Sequence, residues 1–415
     1  MSVHNQGHVM KVPFLALNAR NGTFMAQAGA CEHEPVREQI TVGVGAGARH
    51  LGVDHVVDLG PLHPSAHGAY RLRLTVEDAT VRAAEPLVGH LHRGAEKLFE
   101  VRDYRQVLTL ANRHDWLAAF CNELTVALAV ELMTGMDVPP RALWLRTLLC
   151  ELNRAMAHLV FLAPLTRALT GEHTAGTTAA LRARESVQAV MEQATGGRIH
   201  FMANRIGGLR EDVPAGWTGA VRDTLSTVDS LLPAIRQSTV QDESFVRRHR
   251  GIGVLSTQAA LALGVTGPTG RASGVDVDLR RDEQSATYRE LEVRPVLRTA
   301  GDALARVECV LGEVAQSTRL AGQCLDRLPP GPVNLRLPKA VKAPEGSVYT
   351  WTEAPLGISG VHLSSRGEKT PWRLKLRTPS FNNVQALTRL LPGTAVADLP
   401  TVLGSFAVVV GDIDK

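Results

Sequence analysis

Residues 140–165 read PRALWLRTLLCELNRAMAHLVFLAPL, an apolar run opened by Pro140 directly behind Pro139. Leu145, Leu148, Leu149, Leu152, Met156, Leu159 and Val160 recur at intervals of three and four, a stripe wide enough to be buried against more than one neighbour. Proline suits the first turn of a helix, where its missing N–H costs nothing and its fixed φ is already helical. Within this run Glu151, Arg154 and His158 stand at i, i+3 and i+7, so all three share a face. Among apolar neighbours the first reading of Glu151 and Arg154 is a structural ion pair held between helices; a catalytic role is the second.

The flanking segments repeat the pattern. Leu117–Met133, Thr177–Thr195, Trp217–Gln237 and Leu297–Leu325 carry apolar residues at helical intervals with few breakers, which predicts long helices packed on one another. Gly251–Arg281 interrupts them, and its pieces GIGV (251–254) and GPTG (267–270) read as turns around short strands. A polar patch, Asn112-Arg113-His114-Asp115, precedes Trp116, which opens a helix. Upstream, Tyr70, Leu72, Leu74 and Val76 alternate with Arg71, Arg73 and Thr75, so Val56–Ala84 predicts a small sheet with one buried face. Residues 1–50 show little periodicity beyond an alternation at Ile40–Val44. After Asp326, Pro329, Pro330, Pro332, Pro338 and Pro344 break any helix. Val348–Glu353, Gly360–Ser364, Trp372–Arg377 and Phe406–Val410 then read as short strands around one helix near Asn383–Leu391. The fold class is α+β: a long-helix core with a β-rich N-terminal part and a small C-terminal α/β unit. The domains follow as an extension (1–50), a β-rich domain with His-rich loops (51–105), a helical core with the Gly-rich insertion at 251–281 (106–328), and the C-terminal unit (329–415).

A chain of 415 residues, 44% hydrophobic and 21% charged, is long enough for a large core and too apolar for a disordered tail. The formal charge of +4 is spread along the chain without a basic block, so nucleic acid is not a favoured partner. No run approaches the roughly 18 consecutive apolar residues of a membrane span, and Met1–Lys11 lacks a secretory pattern. The chain reads as cytoplasmic, or as lying against a membrane through other proteins. Five cysteines stand far apart with no Cys-x-x-Cys, which argues against a disulfide framework, an iron–sulphur cluster or a four-thiolate zinc on this chain. Phosphate-loop, dinucleotide, nucleophile-elbow and His-Glu-x-x-His motifs are missing.

The densest polar clusters are GPLHPSAHG (60–68) and GHLHRGAEK (89–97). Their His-x-x-x-His and His-x-His spacings could chelate a metal, but Pro64 interrupts the first and no Cys or carboxylate completes either. They read as hydrogen-bonded loop histidines, with no metal on this chain.

The order of these motifs resembles the 49 kDa-type subunit of respiratory complex I, the proton-pumping NADH:quinone oxidoreductase. Besides the two His-rich runs, the resemblance rests on VPPRA (138–142), ELNR (151–154) with His158, GIGV (251–254), GVTGP and RASGV (264–275), EAPLG (353–357) and GDIDK (411–415). Such subunits are related to the large subunit of nickel–iron hydrogenases without its metal-binding cysteines. The resemblance implies a peripheral-arm subunit on the cytoplasmic side of the membrane that binds no cofactor itself. It would pack on an iron–sulphur subunit, on other peripheral-arm subunits and, through them, on the membrane arm. With the iron–sulphur subunit it would form the cavity where quinone is reduced, coupled to proton translocation; alone it would be inactive. By position His67 would bind or protonate the headgroup, with His63 and Trp116 beside it. Arg93 and His200 would lie near the partner's cluster. Imidazole suits the role because it gives and recovers a proton near neutral pH. The resemblance also has departures. Trp116 stands where such subunits carry a tyrosine, and an indole N–H can donate a hydrogen bond but not a proton. Ala168 replaces an aspartate that orients the histidine, Leu356 replaces a basic residue, and Gly301–Arg306 lacks a Tyr-Asp pair. The alternatives are a structural paralogue that no longer reduces quinone, or one component of a related complex fed by another electron donor.

Overall fold

The computed structural model describes residues 9–10, 37–43, 55–58, 71–166, 174–283 and 287–415. Its axis is the Pro140–Leu165 helix, with 21 of its side chains buried. The helix is long and apolar enough to cross a membrane, yet 83% of its most apolar window is buried inside the protein, as befits a core helix. Ala303–Arg327 and Ala175–Thr195 pack along it, Trp217–Gln237 packs on both of these, and Ala119–Thr134 closes the remaining side. Leu145, Leu148, Leu152, Met156, Val187, Val221, Val228 and Leu311 fill the space between them.

Local chemistry sets the helix ends. Asp302 caps the last long helix through a bond from the Ala305 N–H (2.8 Å), so this helix begins six residues beyond Leu297. Thr174 caps Ala175–Thr195 from the Thr177 N–H (3.2 Å), and left-handed Gly135 and Gly196 end the helices before them.

Among the described residues the strands form three sheets. The largest takes β1 (Val9–Met10), β2 (Arg37–Gly43), β3 (His55–Asp58), β4 (Arg71–Glu77) and β5 (Thr80–Leu87) in the order β1-β3-β2-β4-β5. β3 runs parallel to β1 and β2, while β2, β4 and β5 are antiparallel. Two strands therefore come from the first fifty residues, and β2 contains most of the Ile40–Val44 alternation. Leu72, Leu74 and Val76 turn their buried face onto Leu255, Val265, Leu387, Leu403 and Phe406, so this sheet shares a core with the Gly-rich insertion and the chain's last segment. A short hairpin joins β6 (Asn204–Arg205) to β7 (Gly208–Leu209). β8 (Gly346–Ala354), β9 (Gly357–Ser365) and β10 (Arg373–Arg377) form an antiparallel sheet in the order β10-β9-β8. It lays Val361, Leu363, Leu374 and Leu376 on Val126, Ala127 and Val130.

Three local readings need correction. The insertion holds short helices, Thr257–Ala262, Gly267–Ala272 and Leu279–Asp282, where turns around strands were predicted. Ser256 and Asp278 cap two of them, and helices of one or two turns are too short to show a period. Gly267, at φ 70°, backs onto the Leu356 carbonyl where any Cβ would overlap it. Phe406–Val410 is no strand: it runs unpaired between the Leu399–Ser405 and Val410–Asp414 helices, buried because it fills the core. The helix expected near Asn383–Leu391 is split into Pro379–Val384 and Leu387–Leu390.

Arg146 fastens the central helix to its neighbours. Its guanidinium grips Glu131 at 2.7 and 2.9 Å, both side chains buried, and donates to the Arg205 and Gly208 carbonyls. Arg146→Met leaves Glu131 buried without its counter-charge and is expected to cost about 3–5 kcal/mol. Denaturant titration of the two chains checks this, and a loss below about 1 kcal/mol contradicts it.

Candidate functional site

A pocket of about 290 Å³ opens where four separate stretches meet. Arg93 comes from the loop after β5, Trp116 from the link between the Tyr104–Ala111 and Ala119–Thr134 helices, and His200 from the loop after Thr195. Arg113, His114 and Lys415 complete its polar wall. Arg93, Trp116 and His200 thus share one pocket. His63 and His67 lie outside the described residues, as does Ala168.

Each side chain has a local reason to be there. The Asp115 carboxylate accepts the Leu117 and Ala118 N–H groups at 3.0 and 3.1 Å, closing the turn that carries Trp116 into the pocket; the helix itself starts at Ala119. Gly411 supports the indole from behind, and a Cβ there would overlap both the ring and the His114 carbonyl. Arg93 donates to the Arg113 carbonyl at 3.3 Å. Buried Glu123 ties the two halves of the wall, accepting from Asn112 Nδ2 (2.9 Å) and from the Met202 and Asn204 N–H groups (2.7 and 3.1 Å). Nothing in the sequence alone singles out Glu123, a carboxylate within an apolar helix.

His200 Nδ1 lies 3.1 Å from the Asn112 carbonyl, which can only accept, so Nδ1 carries the hydrogen and Nε2 of the neutral ring has a free lone pair. Burial lowers the His200 pKa, and the positive Arg113 and Arg93 lower it further. The second His-rich run is anchored by the chain's last residues. Gly89 and Leu91 N–H groups bind the Asp414 carboxylate at 2.6 and 2.7 Å, and His92 Nδ1 faces the Asp414 and Lys415 carbonyls at 2.8 and 2.7 Å. Those carbonyls raise the His92 pKa. Among the described residues no group of three or more His, Cys, Asp or Glu could hold a metal ion.

Glu151 and Arg154 form a buried pair at 3.3 Å inside a larger network. Glu151 also accepts from Arg280 (3.2 Å), Tyr288 (2.6 Å) and Ser317 (2.8 Å). Arg271 joins Glu313 (2.5 Å) to Glu353 (2.8 Å), and His158 Nε2 lies 3.1 Å from Glu313. Burial alone would raise the Glu313 pKa, but Arg271 and the His158 hydrogen bond outweigh it and hold the carboxyl at about 2. Glu353 goes the other way: burial raises it despite Arg271. None of these residues lines the 290 Å³ pocket. A second, mainly apolar cavity of about 500 Å³ lies over the network, between Leu128, Leu132 and Trp351, with Arg280 and Tyr288 in its wall.

Comparison with known proteins places this arrangement. The family model of the respiratory-chain NADH dehydrogenase 49 kDa subunit matches residues 170–341 and 336–415. A D-type (D 2) subunit of NADH-quinone oxidoreductase from Salinispora arenicola is 57% identical over 382 residues, covering 91% of this chain and 98% of the relative. The chain belongs to the 49 kDa subunit family. At greater distance, the D-type subunit of NADH-quinone oxidoreductase from Geobacillus kaustophilus is 37% identical over 360 residues, covering 86% of this chain and 98% of the relative. Among solved structures, a chain of the membrane-bound sulfane sulfur reductase, an archaeal respiratory membrane complex, superposes with a TM-score of 0.80 at 33% identity over 86% of this chain and 97% of that one. The chain is therefore a complex I-type subunit of a membrane-associated oxidoreductase assembly.

The network fixes how stability responds to acid. Ionised Glu313 stabilises the fold at neutral pH, and because its folded pKa (about 2) lies below the ordinary value of about 4.3, that contribution is lost as pH falls from about 5 toward 2. Burial lowers the His158 pKa, so its ring stays neutral in the fold and costs stability as pH drops below about 6.5. Glu313→Gln should destabilise the chain strongly at pH 7, by about 3–5 kcal/mol, and progressively less toward pH 3. Urea midpoints at the two pH values check this, and an equal loss at both contradicts it.

Proposed function

We propose that the chain, as a peripheral-arm subunit of a proton-translocating NADH:quinone oxidoreductase, supplies one wall of the cavity in which a quinone headgroup is reduced. An iron–sulphur subunit packed over Arg93 and His200 would supply the other wall and the electrons, and this chain would hold no cofactor. The complex would bind the cytoplasmic side of the membrane through its membrane arm. The supporting observation is that Arg93, Trp116 and His200, drawn from three separate stretches, wall one pocket.

The chemistry of that pocket suits a carbonyl acceptor. Two-electron reduction places negative charge on two carbonyl oxygens and consumes two protons. Trp116 offers a flat face for stacking and one N–H donor. Arg93, Arg113 and Lys415 bring positive charge to the wall, which favours arrival of electrons on whatever the pocket holds. His200, neutral with its hydrogen on Nδ1, adds an imidazole to the wall. In this reading His67 binds or protonates the headgroup, and His63 contributes to binding it.

A second reading has an observation of its own. Trp116 cannot release a proton, and the structural relative at 33% identity is described as a sulfane sulfur reductase, so the same scaffold could serve an acceptor other than quinone.

The test is NADH:quinone reductase activity in membranes carrying the assembled complex. His67→Ala and Trp116→Ala should each lower it by at least about tenfold. Full activity in both contradicts the quinone reading. Trp116→Tyr should raise the rate if proton delivery limits it; an unchanged or lower rate favours the second reading.

A further inference from the structure

Behind Trp116 lies a cluster of titratable groups that the proposed reduction does not yet use. His114, Asp115 and Asp412 are 4%, 1% and 0% exposed. Asp115 Oδ2 and Asp412 Oδ1 have no hydrogen-bond partner, and the His114 ring nitrogens have none but the Ala111 carbonyl. Buried polar atoms without partners are rare because each forfeits its hydration, so two such carboxylate oxygens around a buried imidazole next to a pocket call for an explanation. His114 Nε2 stands 3.6 Å from Asp412 Oδ1, just beyond hydrogen-bond reach, and His114 itself lines the pocket. The other oxygens are already committed, Asp115 Oδ1 to the Leu117 and Ala118 N–H groups and Asp412 Oδ2 to the Ser380 N–H at 2.8 Å.

We propose that Asp115 and Asp412 share a stored proton behind Trp116, and that His114 carries it into the pocket when the acceptor is reduced. The proposal rests on the reading of this pocket as the acceptor site.

The charges around the cluster support a store that empties on demand. Burial and repulsion from Asp412 push the Asp115 carboxyl well above the ordinary range, and burial raises Asp412 to about 6 against the pull of Lys415 and Arg377. The pair therefore keeps a proton near neutral pH. Burial, with Lys415 and Arg93, drives His114 down to about 3, while the Ala111 carbonyl favours its charged form. The resting ring is neutral and leaves the proton on the carboxyls. Two electrons from a one-electron iron–sulphur donor change that balance, because negative charge on the acceptor opposes Lys415 and Arg93 and favours an imidazolium. His114 then takes the proton from Asp412 Oδ1 at Nε2, breaking the O–H bond, and the imidazolium releases one proton to the acceptor oxygen. Asp412 is left as a carboxylate and the ring is neutral again. Protons alone move in this step, and the carboxyl pair reloads from solvent. Trp116 thus shapes and binds, while His114, two residues before it in the same pocket wall, delivers the proton.

The experiment measures kcat and KM for quinone against pH in membranes holding the assembled complex. His114→Leu keeps the side chain's bulk and removes both nitrogens. It should lower kcat at least about tenfold with KM within about twofold. Asp115→Asn removes one of the two carboxyls that hold the shared proton, so kcat near neutral pH should fall with KM within about twofold. A His114→Leu enzyme with kcat within about twofold of wild type and an unchanged pH profile overturns the proposal. If that result comes with a raised KM in Trp116→Ala, only the proton store falls; if Trp116→Ala also leaves kcat and KM unchanged, the pocket is not the acceptor site and the quinone reading falls with it. Should the variants fail to assemble, reduced-minus-oxidised infrared spectra of the wild-type complex decide. Loss of a protonated-carboxyl C=O band on reduction supports the store, and absence of such a change overturns it.

Discussion

Arg271 is fully buried and holds Glu313 on one side and Glu353 on the other, and much of the architecture follows from that one cation. Glu313 belongs to the last long helix, Glu353 to β8, and Arg271 itself to the short Gly267–Ala272 helix. Through His158 on Glu313, and Arg280 on Glu151, the same network reaches the central helix. Burying so many charges carries a desolvation cost that their mutual pairing must offset, so these elements can meet in few other registers. The Glu151–Arg154 pair seen along one helix is the near edge of a lattice whose other members come from distant parts of the chain.

The pocket depends on that lattice indirectly. Insertion, C-terminal segment and N-terminal sheet share a core, which sets where Gly411 and Lys415 arrive. The Asp414 carboxylate then fixes the Gly89–Leu91 backbone, and Glu123 fixes the Asn112 turn against the His200 loop. Arg93, Trp116 and His200 meet because three backbone segments are each held by a buried or half-buried carboxylate. A site assembled this way places positive groups round a cavity without needing a rigid element beneath each one.

The long helices were legible because an apolar period of three and four survives over twenty residues, and the structure gives Pro140–Leu165 and Trp217–Gln237 with the boundaries read from the sequence. The insertion was not, since its short helices are set by Ser256 and Asp278 caps and by close packing at Gly267. Phe406–Val410 misled because a continuous apolar run marks burial and says nothing of pairing. Of the site, Arg93, Trp116 and His200 came from resemblance to a family; composition and spacing alone named none of them. His114, Asp412, Glu123 and Lys415 were missed because their meaning lies in partners far away in sequence, and a buried carboxylate without a counter-charge has no linear signature.

Binding of the acceptor between Arg93, Trp116 and His200 is tested most directly by photo-crosslinking. The assembled complex is labelled with a quinone carrying a photoreactive headgroup, and the peptides of this chain are mapped. Labelled peptides containing Arg93, Trp116 or His200 are expected, with labelling suppressed by excess unmodified quinone. Labelling confined to the larger apolar cavity beside Leu128 and Trp351, or no competable labelling of this chain, contradicts binding at this pocket.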